Sequence, residues 1–311
     1  MEFTSCNLCG SRDHRVIWEG RDWAYGCPGS FTMVRCHACG LVYLDPRPDP
    51  AEAGAYYPPE YEPYQRTARA FRSPILDWIQ RKRLRSRVRA VSRLAAGGSL
   101  LDVGCGSGGF LREISRLNRW QASGVEINGA MARFAREQLG LEVRQGTLEE
   151  AGFSKDAFDV VTMWDVLEHL HDPGAALTEV RRILKPGGWL LVSTPSAGSL
   201  DARLFGRYWI GLDMPRHLYV FSRKTLEAEL RKAGLEPKSV FCFYGRYTTF
   251  ALSLCNWFNA RISSRAVQRT MRSILLFALF RYLTLPYFLV LDALKLGAIL
   301  TVTAQKCSDP S

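Results

Sequence analysis

The sequence predicts an α/β fold: a doubly wound seven-stranded sheet with a small N-terminal cysteine module and a helical insertion before its last strand. Three observations carry that expectation. From Ser99 onward, strand-like and helix-like segments alternate, the pattern of a largely parallel sheet covered on both faces by helices. A glycine-rich loop, Gly104 to Gly109, follows the first strand and opens a helix. Two Cys-x-x-Cys-Gly knuckles stand in the first forty residues, ahead of the alternating pattern.

The chain has 311 residues, of which 47% are hydrophobic and 23% charged, which excludes a disordered or fibrous protein. A core of that size needs no disulfide staples, and nine cysteines, an odd count, do not suggest a disulfide framework. Met1 to Gly10 hold no apolar leader run, so a reducing, cytoplasmic setting is expected. The net charge of +11 calls for an anionic partner, and it is unevenly placed. Arg72, Arg81, Lys82, Arg83, Arg85, Arg87, Arg89 and Arg93 face Asp77 alone. Between residues 246 and 296, six arginines and Lys295 face only Asp292. The remainder is slightly acidic.

Taken in order, residues 1–45 form the cysteine module. Cys6, Cys9, Cys36 and Cys39 supply four thiolates, a closed tetrahedral shell for a structural zinc. In a module with so little core the metal would hold the fold. The alternatives are two unrelated cysteine pairs, or His37 in place of one ligand. Cys27, Cys105, Cys242, Cys255 and Cys307 are expected as buried or spare thiols. Residues 46–72 are a proline-rich linker, and its prolines argue against regular helix. Tyr56, Tyr57 and Tyr61 in it would lid a ligand or simply pack. Residues 73–96 are a basic helix with Pro74 in its first turn and Leu84, Val88, Val91 and Ala95 on one face.

Residues 97–306 are the main domain. Strands are expected at Ser99–Val103, Gln121–Val125, Glu142–Gln145, Ala157–Met163, Trp189–Thr194, Pro237–Tyr244 and Ala298–Gln305. Helices are expected after the glycine loop to Asn118, and at Gly129–Leu139, Gly174–Leu184 and Ser222–Ala233, the last capped by Ser222. Residues 246–296 are the insertion.

Asp102-x-Gly104-x-Gly106-x-Gly108 brings bare backbone and a helix N-terminus to one place. Glu126, 22 positions after Gly104, ends the next strand and suits both hydroxyls of a ribose. Gly-x-Gly-x-Gly after an acid favours a nucleoside with an amino-acid tail over a pyrophosphate.

From Leu100 to Lys306 the sequence resembles the class I S-adenosylmethionine-dependent methyltransferases, whose sheet is Rossmann-like. The resemblance implies that Asp102, Gly104, Cys105, Gly106 and Gly108 hold the methionine part of the cofactor and Glu126 its ribose. It places Thr147 and Leu148 at the adenine, with Thr147 where an Asp is usual. Phe158 to His169, including Trp164, is similar to the fourth motif of the family, and Leu184-Lys-Pro-Gly-Gly188 to the turn before strand five. Within the family the nearest likeness is to the ubiquinone-biosynthesis O-methyltransferases. Paired zinc knuckles also precede the catalytic domain in some sugar methyltransferases. The Asn/Asp-Pro-Pro-Tyr motif of nucleic-acid amino-methyltransferases is replaced by Trp164-Asp165-Val166-Leu167.

For the acceptor, Asp165, Glu168 and His169 would share one helical face at i, i+3 and i+4. His169 suits the general base. Resemblance to Glu-x-x-Glu-His relatives suggests a divalent metal instead, with Asp165 in place of the first Glu, while Glu168 and His169 bracing the loop is the plainer alternative. His217, in an aromatic loop before Ser222, is a second candidate base or a packed loop residue.

The expected activity is O-methylation of a small molecule, a sugar, a quinone or a lipid-linked glycan at an anionic membrane surface. C-methylation of a keto-sugar and RNA modification through the zinc ribbon and basic helix are the alternatives. The apolar insertion argues against nucleic acid. Ile274 to Leu291 is an apolar run interrupted by Arg281 and Pro286. With a catalytic strand following at Ala298–Gln305, a single crossing would place that strand across the bilayer from its sheet. The run is expected to enter and return as two short helices or to lie in the interface, or else to serve as a lid or dimer seam. The oligomeric state stays open.

Overall fold

The computed structural model describes every residue except 59–60, 62–73, 243–245, 276–282 and 308–311. Seven strands form the main sheet: β4 (Gly98–Val103), β5 (Trp120–Glu126), β6 (Glu142–Gln145), β7 (Phe158–Trp164), β8 (Leu184–Pro195), β10 (Leu235–Phe241) and β11 (Ile299–Lys306). Their spatial order is β10-β11-β8-β7-β4-β5-β6. The five strands β6, β5, β4, β7 and β8 pair in parallel, and β11 runs antiparallel between β8 and β10. The chain winds outward from β4 to β6 and returns to β7 on the other side of β4. The crevice beyond the carboxyl end of β4 is therefore the topological switch point, where such sheets bind ligands.

The central strands read as apolar runs because both faces are covered. Leu100, Leu101, Val160, Val161, Leu190, Leu191 and Val192 have no exposed surface. On one face pack α2 (Pro74–Ser92), α3 (Gly109–Ser115) and α4 (Gly129–Leu139). The basic helix α2 puts Val91 fully into this layer, with Leu84 and Val88 beside it, as its spacing predicts. On the other face lie α5 (Pro173–Ile183) and α7 (Arg223–Lys232). Ser222 caps α7 in a reciprocal pair with Thr225.

The N-terminal module is an antiparallel sheet of β1 (His14–Gly20), β2 (Phe31–Cys36) and β3 (Val42–Leu44). Its fourth strand, β9 (Tyr219–Val220), comes from the main domain. The module is thus joined by backbone hydrogen bonds across the boundary drawn at residue 45. Two local expectations need correction. The linker holds a short helix, α1 (Pro50–Ala53), because Asp49 caps it and Pro50 falls in its first turn, where no N–H is required. Strand β8 already begins at Leu184, taking the Lys185-Pro-Gly-Gly turn into its length.

Beyond β10 the described insertion consists of α8 (Arg246–Asn259), α9 (Arg265–Leu275) and α10 (Leu285–Ala293). No helix among the described residues is long and apolar enough to cross a membrane. The centre of the apolar run, with Arg281, lies outside the described residues, as do Pro59, Pro63, Arg72, Ser73 and Tyr244.

Candidate active site

Strand β4 delivers Asp102 and the glycine loop to the crevice. Gly104, Gly106 and Gly108 all take positive φ (65°, 55° and 80°), a conformation that side chains resist. A Cβ on Gly104 would lie 2.6 Å from Val166, whereas one on Gly106 would meet nothing within 4 Å. The first glycine allows close packing, and the second turns bare backbone toward open space. Asp102 is buried and accepts a 2.6 Å hydrogen bond from the Thr162 hydroxyl. Burial pushes its carboxyl up to about 7.

Glu126, buried at the end of β5, accepts from the backbone N–H groups of Gly106 and Asn128, each at 2.8 Å. Burial raises its pKa, against the pull of those N–H donors. A buried carboxylate beside a bare glycine loop fits the ribose and methionine parts of S-adenosylmethionine. Cys105 and Leu148 belong to the core by their side chains, so Cys105 has only backbone to offer the crevice. Thr147 exchanges hydrogen bonds with Glu150, closing the turn after β6. Trp164 is buried with its ring against Phe110. The Arg87 guanidinium of α2 sits 4.9 Å from the Trp164 ring and donates to Asp165 at 2.9 Å. The basic helix therefore reaches the crevice wall.

The acceptor candidates do not share an α-helical face. Asp165 has φ of 59° and only one 3-10 turn, Leu167–His169, follows. That left-handed residue rotates Asp165 out of the expected register. Glu168 is fully buried, and neither carboxylate oxygen has a hydrogen bond of normal geometry. Burial, with Asp165 nearby, raises its pKa well above the usual range.

His169 places Nδ1 3.0 Å from the Arg216 carbonyl and 3.0 Å from the Tyr57 hydroxyl. A carbonyl only accepts, so Nδ1 carries the proton and Nε2 the lone pair. The same reasoning applies to His217, whose Nδ1 lies 2.8 Å from the Gly211 carbonyl. The two rings are 4.6 Å apart and nearly perpendicular. Burial and the neighbouring His217 push His169 down to about 3, and burial lowers His217 too. Ligand atoms of Glu168, His169 and His217 all lie within 4.8 Å of one another. The structure thus replaces the expected trio of Asp165, Glu168 and His169 by one that substitutes His217 for Asp165.

Sequence reasoning pointed to the loop of Arg216 and His217 as an acceptor pocket but missed Asp22 and the ion pairs that hold Arg216. The Arg216 guanidinium donates to Asp22 at 2.8 and 2.8 Å and to Asp213 at 2.9 and 2.7 Å. The Arg216 and Asp22 side chains have no exposed surface. The Asp213-x-x-Arg216 spacing was a signal for half of this network; nothing in the sequence marks Asp22.

In the N-terminal module, Cys6 and Cys39 sulfurs are 3.4 Å apart, Cys9 and Cys36 sulfurs 3.5 Å, and all four lie within 4.8 Å of one another. A tetrahedral four-thiolate zinc needs S···S of about 3.8 Å. Gly10 and Gly40 close identical turns onto the Cys6 and Cys36 carbonyls. His37 turns away to Asp13 at 3.0 Å, which excludes it from this cluster.

A Rossmann-like sheet with this glycine loop and acid defines the class I S-adenosylmethionine-dependent methyltransferases. A family model described as a methyltransferase domain matches residues 76–240, more than half of the chain, and the chain belongs to that family. It is 36% identical over 157 residues to a ubiquinone biosynthesis O-methyltransferase of Cereibacter sphaeroides, covering 45% of this chain and 61% of that protein. To the protein of the same name from Pseudomonas putida it is 35% identical over 159 residues, covering 47% and 67%. The chain thus spans about three fifths of the first of these relatives. A structure of phosphoethanolamine N-methyltransferase 2 from Haemonchus contortus shares the fold, with TM-score 0.50, 20% identity, and coverage of 72% of this chain and 53% of that one.

Proposed function

We propose that the protein transfers a methyl group from S-adenosylmethionine to a hydroxyl oxygen of a small-molecule acceptor of the quinol type. The observation that carries this reading is the pair of imidazoles after β7 and β8, both with Nε2 unprotonated, beside the buried Glu168 carboxyl. When bound, the cofactor supplies an electrophilic methyl on a sulfonium, so the chain's task is to place the acceptor and take its proton. Gly104, Gly106, Gly108 and Glu126 hold the cofactor, with Thr147, Leu148 and Trp164 walling the crevice. His169 Nε2 accepts the acceptor's proton and His217 steadies it. Burial lowers His169, so the imidazole is neutral at pH 7 and open to a proton from the acceptor hydroxyl. The ubiquinone-biosynthesis relatives point the same way. Asp165, engaged by Arg87, clamps the basic helix over the crevice.

A second reading has its own observation. The unpartnered Glu168 oxygens, with His169 and His217, form a donor set of one carboxylate and two imidazoles that suits a divalent cation. A cation there would acidify the acceptor hydroxyl. In the N-terminal module the four thiols hold a structural zinc. The insertion meets an anionic membrane surface through exposed Val267 and Ile274 of α9 and Leu289 and Val290 of α10, with exposed Arg269 and Arg272 on the polar side of α9.

The deciding experiment is turnover of catechol-type quinol precursors with labelled cofactor. His169→Ala and His217→Ala should each lose activity while keeping cofactor affinity. Full activity in both would remove the histidines from the mechanism. Loss on chelation, with recovery on adding magnesium or zinc, selects the second reading over the first.

A further inference from the structure

Between the N-terminal module and the acceptor turn, contacts run through backbone and side chain alike. The Leu44 N–H of β3 donates to the Leu218 carbonyl at 2.9 Å, and the Leu218 N–H donates to the Glu168 carbonyl at 2.8 Å. One strand of the module is thus two hydrogen bonds from the residue beside His169. The Arg47 side chain donates to the His171 carbonyl at 2.9 Å. Asp22 fixes the Arg216 side chain, which also donates to the Tyr56 carbonyl at 3.1 Å. The backbone carbonyl of that same Arg216 accepts from His169. The following linker residue, Tyr57, reaches His169 directly, with its hydroxyl 3.0 Å from Nδ1 and the rings 6.2 Å apart. A solvent-facing binding module would not direct its buried acid and a linker tyrosine at one catalytic side chain.

We infer that the N-terminal module is a structural half of the acceptor site and that Tyr57 is a positioning residue for His169. The inference rests on the proposed role of His169, and deepens it. With the His169 Nδ1–H donating to Arg216, the Tyr57 oxygen is a second acceptor on the same hydrogen. Two acceptors from different parts of the chain fix the ring plane, so Nε2 faces the acceptor side. Imidazoles that act through one nitrogen are commonly oriented through the other. The assignment holds whether Nε2 takes a proton or a cation.

Tyr57→Phe tests it, because Phe keeps the ring and removes only the hydroxyl. The expected result is a three- to tenfold fall in kcat for a catechol-type acceptor, with the KM for S-adenosylmethionine unchanged. The Nδ1–H resonance of His169, observed in 15N-histidine-labelled protein, should move upfield and exchange faster. Unchanged kcat with an unchanged resonance would mean that Tyr57 merely packs, and would overturn the positioning role. Asp22→Asn tests the module through Arg216 at nearly constant volume. It should lower kcat while calorimetric affinity for S-adenosylmethionine stays as in the parent, and full activity would overturn the module's part in the site. If Asp22→Asn fails to fold, Tyr57→Phe still decides the positioning role. Should His169→Ala keep full activity, the proposed chemistry fails and not only this inference.

Discussion

At the N-terminal junction a full positive charge is buried and paired: Arg216 lies between Asp22 and Asp213, its guanidinium bonded to both. Burial alone would raise Asp22, but the hydrogen bonds and charge of Arg216 outweigh it and hold that carboxyl below its ordinary value. At the C-terminal junction, between α6 (Leu200–Phe205) and α8, the buried acid is Asp201, held by the Thr249 hydroxyl at 3.1 Å. Burial pushes Asp201 up to about 6. One junction is locked by ions at any physiological pH; the other contains a carboxyl that changes charge near pH 6. The surfaces differ too. At the N-terminal junction Asp22 and Arg216 are consumed inside the molecule, while the insertion leaves Val290 57% and Leu294 62% exposed. Apolar side chains left in water in this way are what the proposed membrane contact would cover.

The largest effect is expected from breaking the locked junction. Arg216→Ala leaves Asp22 and Asp213 without their cation and should destabilise the protein by about 3–5 kcal/mol. Urea unfolding measures it, and a loss below about 1 kcal/mol would show the junction to be no tighter than a surface pair. Arg216→Lys, unable to make two bidentate contacts, should recover only part.

Cofactor binding, at the glycine loop and Glu126, is expected to depend on neither junction. Glu126→Ala should weaken S-adenosylmethionine binding by about 1–3 kcal/mol, read by calorimetry, with little change in stability. Unchanged affinity would remove Glu126 from the ribose site.

Much of this was legible because it is periodic or local. Apolar runs marked the strands, and the distance from Gly104 to Glu126 is one βαβ step. The cysteine knuckles announced their own geometry. What was not legible is non-local or lies in single residues. Tyr219–Val220 is two residues long, too short for any alternation, yet it joins the module to the sheet. Asp22 is one acid in a loop, and its partner is 194 residues away. The helical spacing of Asp165, Glu168 and His169 misled because φ at Asp165 is 59°, and spacing contains no backbone sign. His217 joins Glu168 through the return of the chain after β8, which no window of sequence spans.

The unlocked junction should respond to pH. Asp201 has a folded pKa of about 6, above the ordinary value of about 3.9 for an unfolded chain. A raised carboxyl contributes stability that is full below about pH 4 and lost as pH rises through 6. The loss should be about 1–3 kcal/mol. Asp201→Asn should reduce the slope of the stability profile across that window, to which the raised Asp102 and Glu126 also contribute. Equal slopes in parent and Asp201→Asn protein would mean that the α6–α8 contact does not titrate.

The smallest effect on stability, and the sharpest test of the contrast, is expected at the outer face of the insertion. Val290→Lys with Leu294→Lys places charge where the side chains already face water, so unfolding should shift by no more than about 0.5 kcal/mol. Burying those apolar groups in lipid is worth about 25 cal/mol per Å², and two lysines remove that gain. The parent should therefore float with vesicles containing anionic lipid at low salt, and the double variant should not. Arg269→Glu with Arg272→Glu should abolish flotation on anionic vesicles while leaving weak binding to neutral ones, since only the electrostatic part is lost. If the parent stays unbound at low salt, the exposed face serves another partner, and a concentration-dependent rise in mass that the lysine variant lacks would identify that partner as a second copy of the chain.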